Sequence, residues 1–75
     1  MSEGTLHTVT VNGQSEQFDR VVSIREVLVA VGLDADEVRG VAVALNDEVI
    51  RREAWSDTSV KDGDRMEIVT AWQGG

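Results

Sequence analysis

The chain has 75 residues, of which 41% are hydrophobic and 28% are charged. A chain of this length buries only about 60% of the surface that its unfolded form exposes, so residues 1–75 are expected to form one small domain without an internal catalytic cleft. The 14 acidic residues outnumber the 7 basic ones, giving a net charge of -7. This charge argues against binding to nucleic acid or to an anionic membrane and favours a basic protein partner.

The chain contains no cysteine and only one histidine, His7. These counts exclude disulfides, thiol nucleophiles and thiolate metal sites, and they disfavour an imidazole metal site. Residues 1–4 lack the basic start and apolar stretch of a signal peptide, and no apolar run approaches the roughly 18 residues of a membrane span. We therefore expect a cytoplasmic protein.

The first predicted element is a β-hairpin. Residues 5–11 have the pattern of a strand. Asn12-Gly13 tolerates the positive φ values of a type I′ turn, so the chain is predicted to fold back as a second strand over residues 14–18.

A short helix is predicted next. Ser23 and Glu26 have the Ser-x-x-Glu spacing of a capping box, and Gly32 supplies a left-handed stop. The apolar residues between them share one helical face. The positions on that face are Ile24, Val27, Leu28 and Val31. Because this run is rich in valine, the helix is expected to depend on packing against a sheet. Residues 34–38 are predicted to add a further helical turn.

Residues 41–45 are apolar at every position, which is typical of a strand with neighbours on both edges. Alternate residues of this strand should face the helix, leaving Ala42 and Ala44 on the thinly covered face. A polar turn is predicted at residues 46–48, followed by a short strand over residues 49–51.

The last predicted elements are an irregular segment and a final strand. Trp55 is expected to be a core aromatic, since large aromatics dominate burial in small cores. Residues 62–64, Asp-Gly-Asp, predict a turn into an apolar strand. Met66 and Ile68 of that strand should join the core. On its other face, Val69 and Ala71 should lie beside Ala42 and Ala44.

The order of hairpin, helix, strand, short strand and strand predicts an α+β fold of the β-grasp type. In this fold a mixed sheet of four to five strands packs on one main helix, because the helix stripe and one sheet face must bury each other. The expected domain spans residues 1–75, with a flexible tail at residues 72–75.

The chain ends at Gly74-Gly75, almost directly after the predicted last strand. Glycine buries no side chain and loses the most backbone entropy when ordered, so a diglycine suits a loose tail that threads through a gap too narrow for a Cβ. With Trp72 and Gln73, this tail would reach roughly 13 Å beyond the strand. A frayed terminus without function is the alternative.

Several short motifs stand in a specific order over residues 41–75. They are Ala44-Leu45-Asn46, Val49 with Arg51 or Arg52, Trp55, Asp62-Gly63-Asp64 before an apolar strand, and Gly74-Gly75. In this order and spacing the chain closely resembles the thiamine-biosynthesis sulfur carrier proteins, the ThiS family of ubiquitin-like β-grasp domains. Residues 1–40 agree in pattern and in the Ser-x-x-Glu helix start. Trp72 departs from the aliphatic or small residue that is more usual there.

The resemblance implies a chemistry for Gly75. An E1-like, ThiF-like adenylyltransferase would adenylate its carboxylate, a donor such as a cysteine desulfurase would supply sulfur from a persulfide, and a ThiG-like thiazole synthase would take the sulfur from the thiocarboxylate. Activation is needed because a carboxylate is an anion at neutral pH and a poor electrophile. Gly74, Gln73 and Trp72 would give the tail access to the partner.

By the same resemblance the chain is a cosubstrate and not an enzyme. It would bind no cofactor or metal itself, the partner would use ATP and Mg, and the chain alone is expected to be monomeric. A flat apolar strip on the sheet is the candidate docking patch for partners. Its residues are Ala42, Ala44, Val69 and Ala71.

Other functions stay open on the sequence. A carrier for molybdopterin, cysteine or tRNA thiolation would have the same tail and fold. A ubiquitin-like modifier would attach to lysines of its targets through Gly75, although Lys61 alone is available for building chains on the domain. An interaction module with an incidental Gly-Gly is the remaining alternative.

Overall fold

The computed structural model describes residues 6–35 and 40–70. The elements in chain order are β1 (His7–Val11), β2 (Gln14–Phe18), β3 (Val22–Ser23), α1 (Ile24–Ala30), β4 (Val41–Leu45), β5 (Glu48–Ile50), a 3₁₀ turn (Arg52–Ala54), β6 (Ser59–Val60) and β7 (Arg65–Thr70). Five strands form one sheet in the order β2-β1-β7-β4-β5. Strands β1 and β7 are parallel, and the other neighbours in this sheet are antiparallel. The predicted mixed sheet with one main helix is confirmed.

The N-terminal hairpin turns at the predicted dipeptide. Asn12 has a φ of 50° and Gly13 a φ of 84°, the two positive values that a type I′ turn requires. His7 pairs with Phe18 and Val11 with Gln14, so the register is uninterrupted. The local turn chemistry therefore sets the pairing of β1 with β2.

The capping box at the start of α1 is also confirmed. The Ser23 Oγ accepts a hydrogen bond from the Glu26 backbone N–H at 3.1 Å, and the Glu26 Oε1 accepts one from the Ser23 N–H at 2.8 Å. The helix ends at Ala30, and Gly32 follows with a φ of 96°. The buried helix residues are Ile24, Val27 and Leu28. The further helical turn predicted over residues 34–38 lies mostly outside the described residues.

The carboxylate of Glu26 should contribute to the stability of the fold in a way that depends on pH. The backbone hydrogen bond from Ser23, aided by the charge of Arg20, lowers the pKa of Glu26. A lowered folded-state pKa means that the contribution to stability is complete above the unfolded-state pKa and is lost as pH falls through the folded-state pKa. Glu26→Gln keeps a capping-box side chain but cannot titrate. We expect the difference in unfolding free energy between wild type and this variant to be constant near neutral pH and to shrink in acid.

Urea unfolding of both proteins at a series of pH values measures this difference. Parallel loss of stability by the two proteins throughout the acid range would contradict the assignment to Glu26.

The core lies between α1 and one face of the five-stranded sheet. Within the described residues, the buried apolar side chains are Val9, Val11, Val22, Ile24, Val27, Leu28, Ala35, Val43, Trp55, Val60 and Met66. Val41, Leu45 and Ile68 pack against this cluster. The predicted helix-facing positions of β4 and β7 are therefore confirmed, with Met66 fully buried and Ile68 partly buried.

Trp55 is a core residue, as predicted, with only 3% of its surface exposed. Its indole Nε1–H donates to the Ile50 carbonyl at 3.0 Å, and the Arg52 guanidinium lies 5.3 Å from the ring centroid. The polar N–H and the aromatic face of this ring therefore both make contacts within the domain.

Two features of the second half differ from the sequence prediction. The predicted polar turn of residues 46–48 contains only Asn46 and Asp47, with φ values of 52° and 72°, and Glu48 already belongs to β5. This strand is Glu48–Ile50, not residues 49–51, because a type I′ turn of two residues pairs Leu45 directly with Glu48. A small second sheet, β3 with β6, was not predicted. It pairs two buried valines, Val22 and Val60. Its strands are too short to show the alternation of apolar and polar residues that predicts a strand.

Among the helices of the described ranges, none combines the length and the apolar character needed to cross a membrane.

Candidate functional site

The strand that precedes the predicted tail is the central strand of the sheet. Strand β7 pairs with β1 on one side and with β4 on the other, and its last residue, Thr70, pairs with Val41. In the described part of the sheet the pairing with β1 extends only to Met66, so Thr70 is paired on the β4 side. The predicted tail residues lie outside the described part of the chain. These are Trp72, Gln73, Gly74 and Gly75.

Two asparagines from the two type I′ turns hold β7. The Asn12 Oδ1 accepts from the Ile68 N–H at 2.7 Å, and the Asn12 Nδ2 donates to the Ile68 carbonyl at 3.2 Å. The Asn46 Oδ1 accepts from the Arg65 N–H at 2.9 Å, and the Asn46 N–H donates to the Arg65 carbonyl at 2.7 Å. The Asn12 side chain thus replaces a neighbouring strand where β1 has already turned away.

Sequence reasoning assigned Asn12 only a role in the turn. The turn alone explains an asparagine before Gly13, so no local signal distinguishes the second role.

Two substitutions of Asn12 should destabilise the fold to different degrees, according to how many of its hydrogen bonds to Ile68 they remove. Asn12→Gly keeps the tolerance for positive φ but removes both bonds to Ile68, and we expect it to lower the free energy of unfolding by about 1–2 kcal/mol. Asn12→Asp keeps the acceptor and loses the donor, so its loss should be smaller. Amide hydrogen exchange at Ile68 should accelerate more in Asn12→Gly than in Asn12→Asp. Equal exchange in the wild type and Asn12→Gly would show that the side chain does not hold β7.

The Asp-Gly-Asp turn before β7 uses its carboxylates within the fold. The Asp62 Oδ1 accepts from the Thr8 N–H at 2.8 Å, and the His7 Nδ1 accepts from the Asp62 N–H at 3.1 Å. The Asp64 carboxylate accepts from the Lys61 N–H and from the Asn46 Nδ2. The predicted turn is confirmed, and His7 is a half-buried residue of β1. In the described ranges, no three His, Cys, Asp or Glu residues are grouped so that they could hold a metal ion.

The structure brings together three of the four predicted patch residues. Ala42 pairs with Val69 across β4 and β7, and Val69 is 60% exposed on the face of the sheet away from α1. Ala44 lies on the same face and pairs with Val49, which is 70% exposed. Ala71 lies outside the described residues. Val49 was missed as a patch residue because its position beside Ala44 depends on the two-residue turn before β5.

Charged and polar groups surround this apolar strip. Glu67 pairs with Ala44, and the Arg65 Nη2 contacts the Asp47 carboxylate at 2.7 Å, which raises the pKa of the Arg65 guanidinium. The remaining open face, on β1 and β2, is polar. Its residues are Thr8, Thr10, Ser15 and Gln17. The open face therefore has a half on β4, β5 and β7 that holds the apolar strip together with Glu67 and Arg65, which we call the apolar half, and a polar half on β1 and β2.

One helix across one face of a mixed five-stranded sheet defines a ubiquitin-like β-grasp domain. Residues 5–75 match the ThiS family along their whole length. The chain belongs to the ThiS family of sulfur carrier proteins, so it is a carrier and not a catalyst. The resemblance found in the sequence is confirmed.

Two relatives illustrate the match. The chain is 36% identical over 67 residues to the sulfur carrier protein ThiS of Thermus thermophilus, and the match covers 89% of this chain and 98% of that protein. It is 31% identical over 67 residues to a thiazole synthase of Paramagnetospirillum magneticum. That match covers 89% of this chain but 20% of the synthase, so the chain spans about a fifth of that relative's length.

Solved structures agree with the fold. The crystal structure of the thiamine biosynthesis protein ThiS from Geobacter metallireducens superposes with a TM-score of 0.74 at 37% identity, covering 91% of this chain and 99% of the other. The solution structure of a thiamine biosynthesis protein from Geobacter metallireducens gives 0.69 at 38% identity, covering 91% and 87%.

Proposed function

We propose that this chain carries sulfur for thiazole formation in thiamine biosynthesis, as a thiocarboxylate on Gly75. The observation that carries the proposal is the pair of relatives, one a ThiS sulfur carrier and the other a thiazole synthase. In the synthase a segment similar to 67 residues of this chain forms part of the same polypeptide. A carrier segment joined to a synthase is placed at high effective concentration beside it, which favours the synthase as the acceptor of the sulfur.

The proposed chemistry takes place on the last residue. The Gly75 carboxylate attacks the α-phosphorus of ATP, forming an acyl-adenylate and releasing pyrophosphate. The terminal sulfur of a donor persulfide then attacks the carbonyl carbon, and the bond to AMP breaks. A thiol then attacks the donor's cysteine sulfur in the resulting acyl disulfide. A disulfide forms between this thiol and the donor cysteine, and the thiocarboxylate is left on Gly75. With no cysteine in the chain, the sulfur is held on a carbonyl carbon.

The partners follow from these steps. A ThiF-like, E1-like adenylyltransferase binds ATP and Mg, a donor such as a cysteine desulfurase supplies the persulfide, and a ThiG-like thiazole synthase accepts the sulfur. Residues 1–75 act as one cytoplasmic, monomeric carrier domain, with residues 72–75 as its tail. Gly74, Gln73 and Trp72 allow the carboxylate to reach the partner's site.

The docking surface proposed for these partners is the apolar half of the open face. It comprises Ala42, Ala44, Val69 and Ala71, and we add Val49 from its position beside Ala44. The partner of this surface has a complementary apolar patch with basic groups at its edge, since the carrier has a net charge of -7.

A charge placed in this surface should weaken docking. We expect Ala42→Asp and Val69→Asp each to raise the KM for the carrier in the adenylation reaction by roughly tenfold or more, because the new carboxylate would be buried without a partner. Gln17→Asp adds the same charge on the polar half of the same face and should leave the KM near that of the wild type. The surface is wrongly placed if all three variants behave alike.

The experiment that tests the function is a reconstitution followed by intact mass measurement. The chain is incubated with ATP, Mg, the E1-like enzyme and a persulfide donor, and its mass should rise by the difference between sulfur and oxygen. A chain lacking Gly75 should show no such rise while keeping its circular dichroism spectrum. The product is then offered to a thiazole synthase and to a molybdopterin synthase. Sulfur transfer to the second alone would favour the alternative pathway, and conjugation to lysines would favour a protein modifier.

A further inference from the structure

One carboxylate lies inside the apolar half of the open face. Glu67 is an exposed residue of β7, and its side chain is on the same face as those of Arg65 and Val69, because side chains of a strand alternate between its two sides. Its cross-strand neighbour on β4 is Ala44. The proposed docking surface therefore contains a formal negative charge between apolar residues, and not only at its edge.

The fold does not use the Glu67 carboxylate. Within residues 6–35 and 40–70 this carboxylate takes part in no hydrogen bond or ion pair. The Arg65 guanidinium, on the same face, contacts the Asp47 carboxylate at 2.7 Å. The raised pKa of Arg65 is due mainly to that hydrogen bond, and the charge of Glu67 makes the smallest contribution to it. Arg65 is thus held by Asp47, and the oxygens of Glu67 keep their capacity to accept.

The strand on the other side of β7 supplies no partner in the described part of the sheet. Strand β1 ends at Val11, which pairs with Met66, one residue before Glu67. The next residue, Asn12, bonds through its side chain to the Ile68 backbone at 2.7 and 3.2 Å. The Glu67 side chain is therefore left open to solvent on a strand that is otherwise well held.

An open carboxylate in this position restricts what can cover it. If an apolar surface covered Glu67, the charge would lose its hydration without a compensating partner, which is strongly unfavourable. A guanidinium or ammonium group placed opposite would instead form a charge-assisted hydrogen bond in a partly dehydrated contact, where such bonds are strong. The carboxylate thus favours partners that carry a cation at one position and disfavours those that lack it.

We propose that Glu67 is a specificity-determining residue of this surface and binds an arginine or lysine side chain of the E1-like adenylyltransferase. The inference rests on the proposed function, which makes that enzyme the first partner of the carrier. An enzyme that binds ATP has basic side chains for its phosphates, and a domain with a net charge of -7 is attracted to such a region. The pairing fixes the orientation of the docked domain, since apolar contact alone is non-directional.

Titration calorimetry of the chain with the E1-like enzyme, without ATP, tests the pairing. Glu67→Gln keeps the shape of the side chain and removes its charge, so its Kd should rise roughly tenfold, and Glu67→Lys should raise the Kd by about 100-fold. Urea unfolding of both variants should match that of the wild type, because the carboxylate has no bond within the described fold.

Glu16 provides the matched controls. It pairs with the buried Val9, so it lies on the helix side of the sheet, away from the docking surface. Glu16→Gln and Glu16→Lys make the same changes in net charge as the two Glu67 variants, and their Kd should stay within about threefold of the wild-type value. The Kd of Glu67→Gln should also rise less steeply with salt than that of Glu16→Gln, because one charge pair is missing.

Exchange of the two charges identifies the partner group. Each arginine or lysine around the carrier site of the enzyme is replaced in turn by glutamate. One of these enzyme variants should bind Glu67→Lys roughly tenfold or more tightly than the wild-type enzyme does, since the new lysine then faces a carboxylate.

The inference is wrong if Glu67→Gln binds like the wild type, if the Glu16 and Glu67 variants weaken binding equally, or if no enzyme variant restores the binding of Glu67→Lys. Weaker sulfur transfer to the thiazole synthase with unchanged binding to the E1-like enzyme would also overturn it. A chain that gains sulfur at Gly75 without any dependence on Glu67 keeps the proposed function and loses this inference alone. A chain that binds the enzyme through Glu67 but gains neither AMP nor sulfur loses the proposed function instead.

Discussion

Replacing Gly74 with valine is expected to lower the rate of adenylation of this carrier by roughly 100-fold, as small misplacements of a reacting group commonly do. The proposed reaction requires the Gly75 carboxylate to enter a narrow site, where a branched Cβ beside it would displace the reacting oxygen. Gly74 is not among the core residues that the structure describes, and we expect the free energy of unfolding not to change. ATP–pyrophosphate exchange with the E1-like enzyme measures the rate.

Gly74→Ala provides the graded comparison, since its smaller Cβ group should cause an intermediate loss. Adenylation of Gly74→Val at the wild-type rate would contradict the role assigned to this position. A matching fall in stability would instead show that the residue contributes to the fold.

Replacing Trp55 with alanine is expected to have the largest effect on the fold. Removing a buried tryptophan costs about 3–5 kcal/mol, and a domain of this size is expected near the lower end of the usual range, at about 5 kcal/mol in total. The ring is 3% exposed, and its Nε1–H satisfies the Ile50 carbonyl. Trp55→Ala should therefore keep only about 0–2 kcal/mol of unfolding free energy, so that urea unfolding begins at or close to zero denaturant, as measured by circular dichroism.

Trp55→Phe separates the contribution of apolar packing from that of the hydrogen bond to the Ile50 carbonyl. It keeps most of the apolar volume and loses the hydrogen bond, so its loss should be about 1–3 kcal/mol. If Trp55→Ala were no less stable than Trp55→Phe, packing of the ring would not be the main contribution of this residue.

The parts of the fold that the sequence predicts are those governed by neighbouring residues. Asn12-Gly13 sets a hairpin because both residues tolerate positive φ, and Ser23 with Glu26 sets a helix start because each satisfies an amide of the other. Both signals act within four residues and need no knowledge of the rest of the chain. The alternation in β4 and β7 predicted correctly which residues face the helix.

The parts that the sequence does not predict depend on residues far apart in the chain. The bonds of Asn12 to Ile68 join positions 56 residues apart, and the pairing of Val22 with Val60 involves strands of two residues. Val49 joins the apolar half of the open face only because the preceding turn is one residue shorter than predicted. Each of these contacts follows from tertiary packing, which a local pattern does not contain.

The candidate site was likewise predicted only in part from the sequence. The residue types at Gly74 and Gly75 suggested a tail with a reactive end, and the resemblance to the ThiS family supplied the chemistry. The described structure adds a central strand, β7, that Asn12 and Asn46 hold by hydrogen bonds, and an apolar half of the open face that we propose as a docking surface. A carrier domain whose proposed chemistry is confined to Gly75 would serve as a cosubstrate of other enzymes.

The most direct test of the central claim is to locate the added sulfur within the protein. After incubation with ATP, Mg, the E1-like enzyme and a persulfide donor, the intact chain is fragmented in a mass spectrometer. We expect the mass increase in every fragment that contains Gly75 and in no fragment that lacks it. Sulfur found on another residue, or a chain that gains neither AMP nor sulfur with its cognate enzyme, would contradict the account.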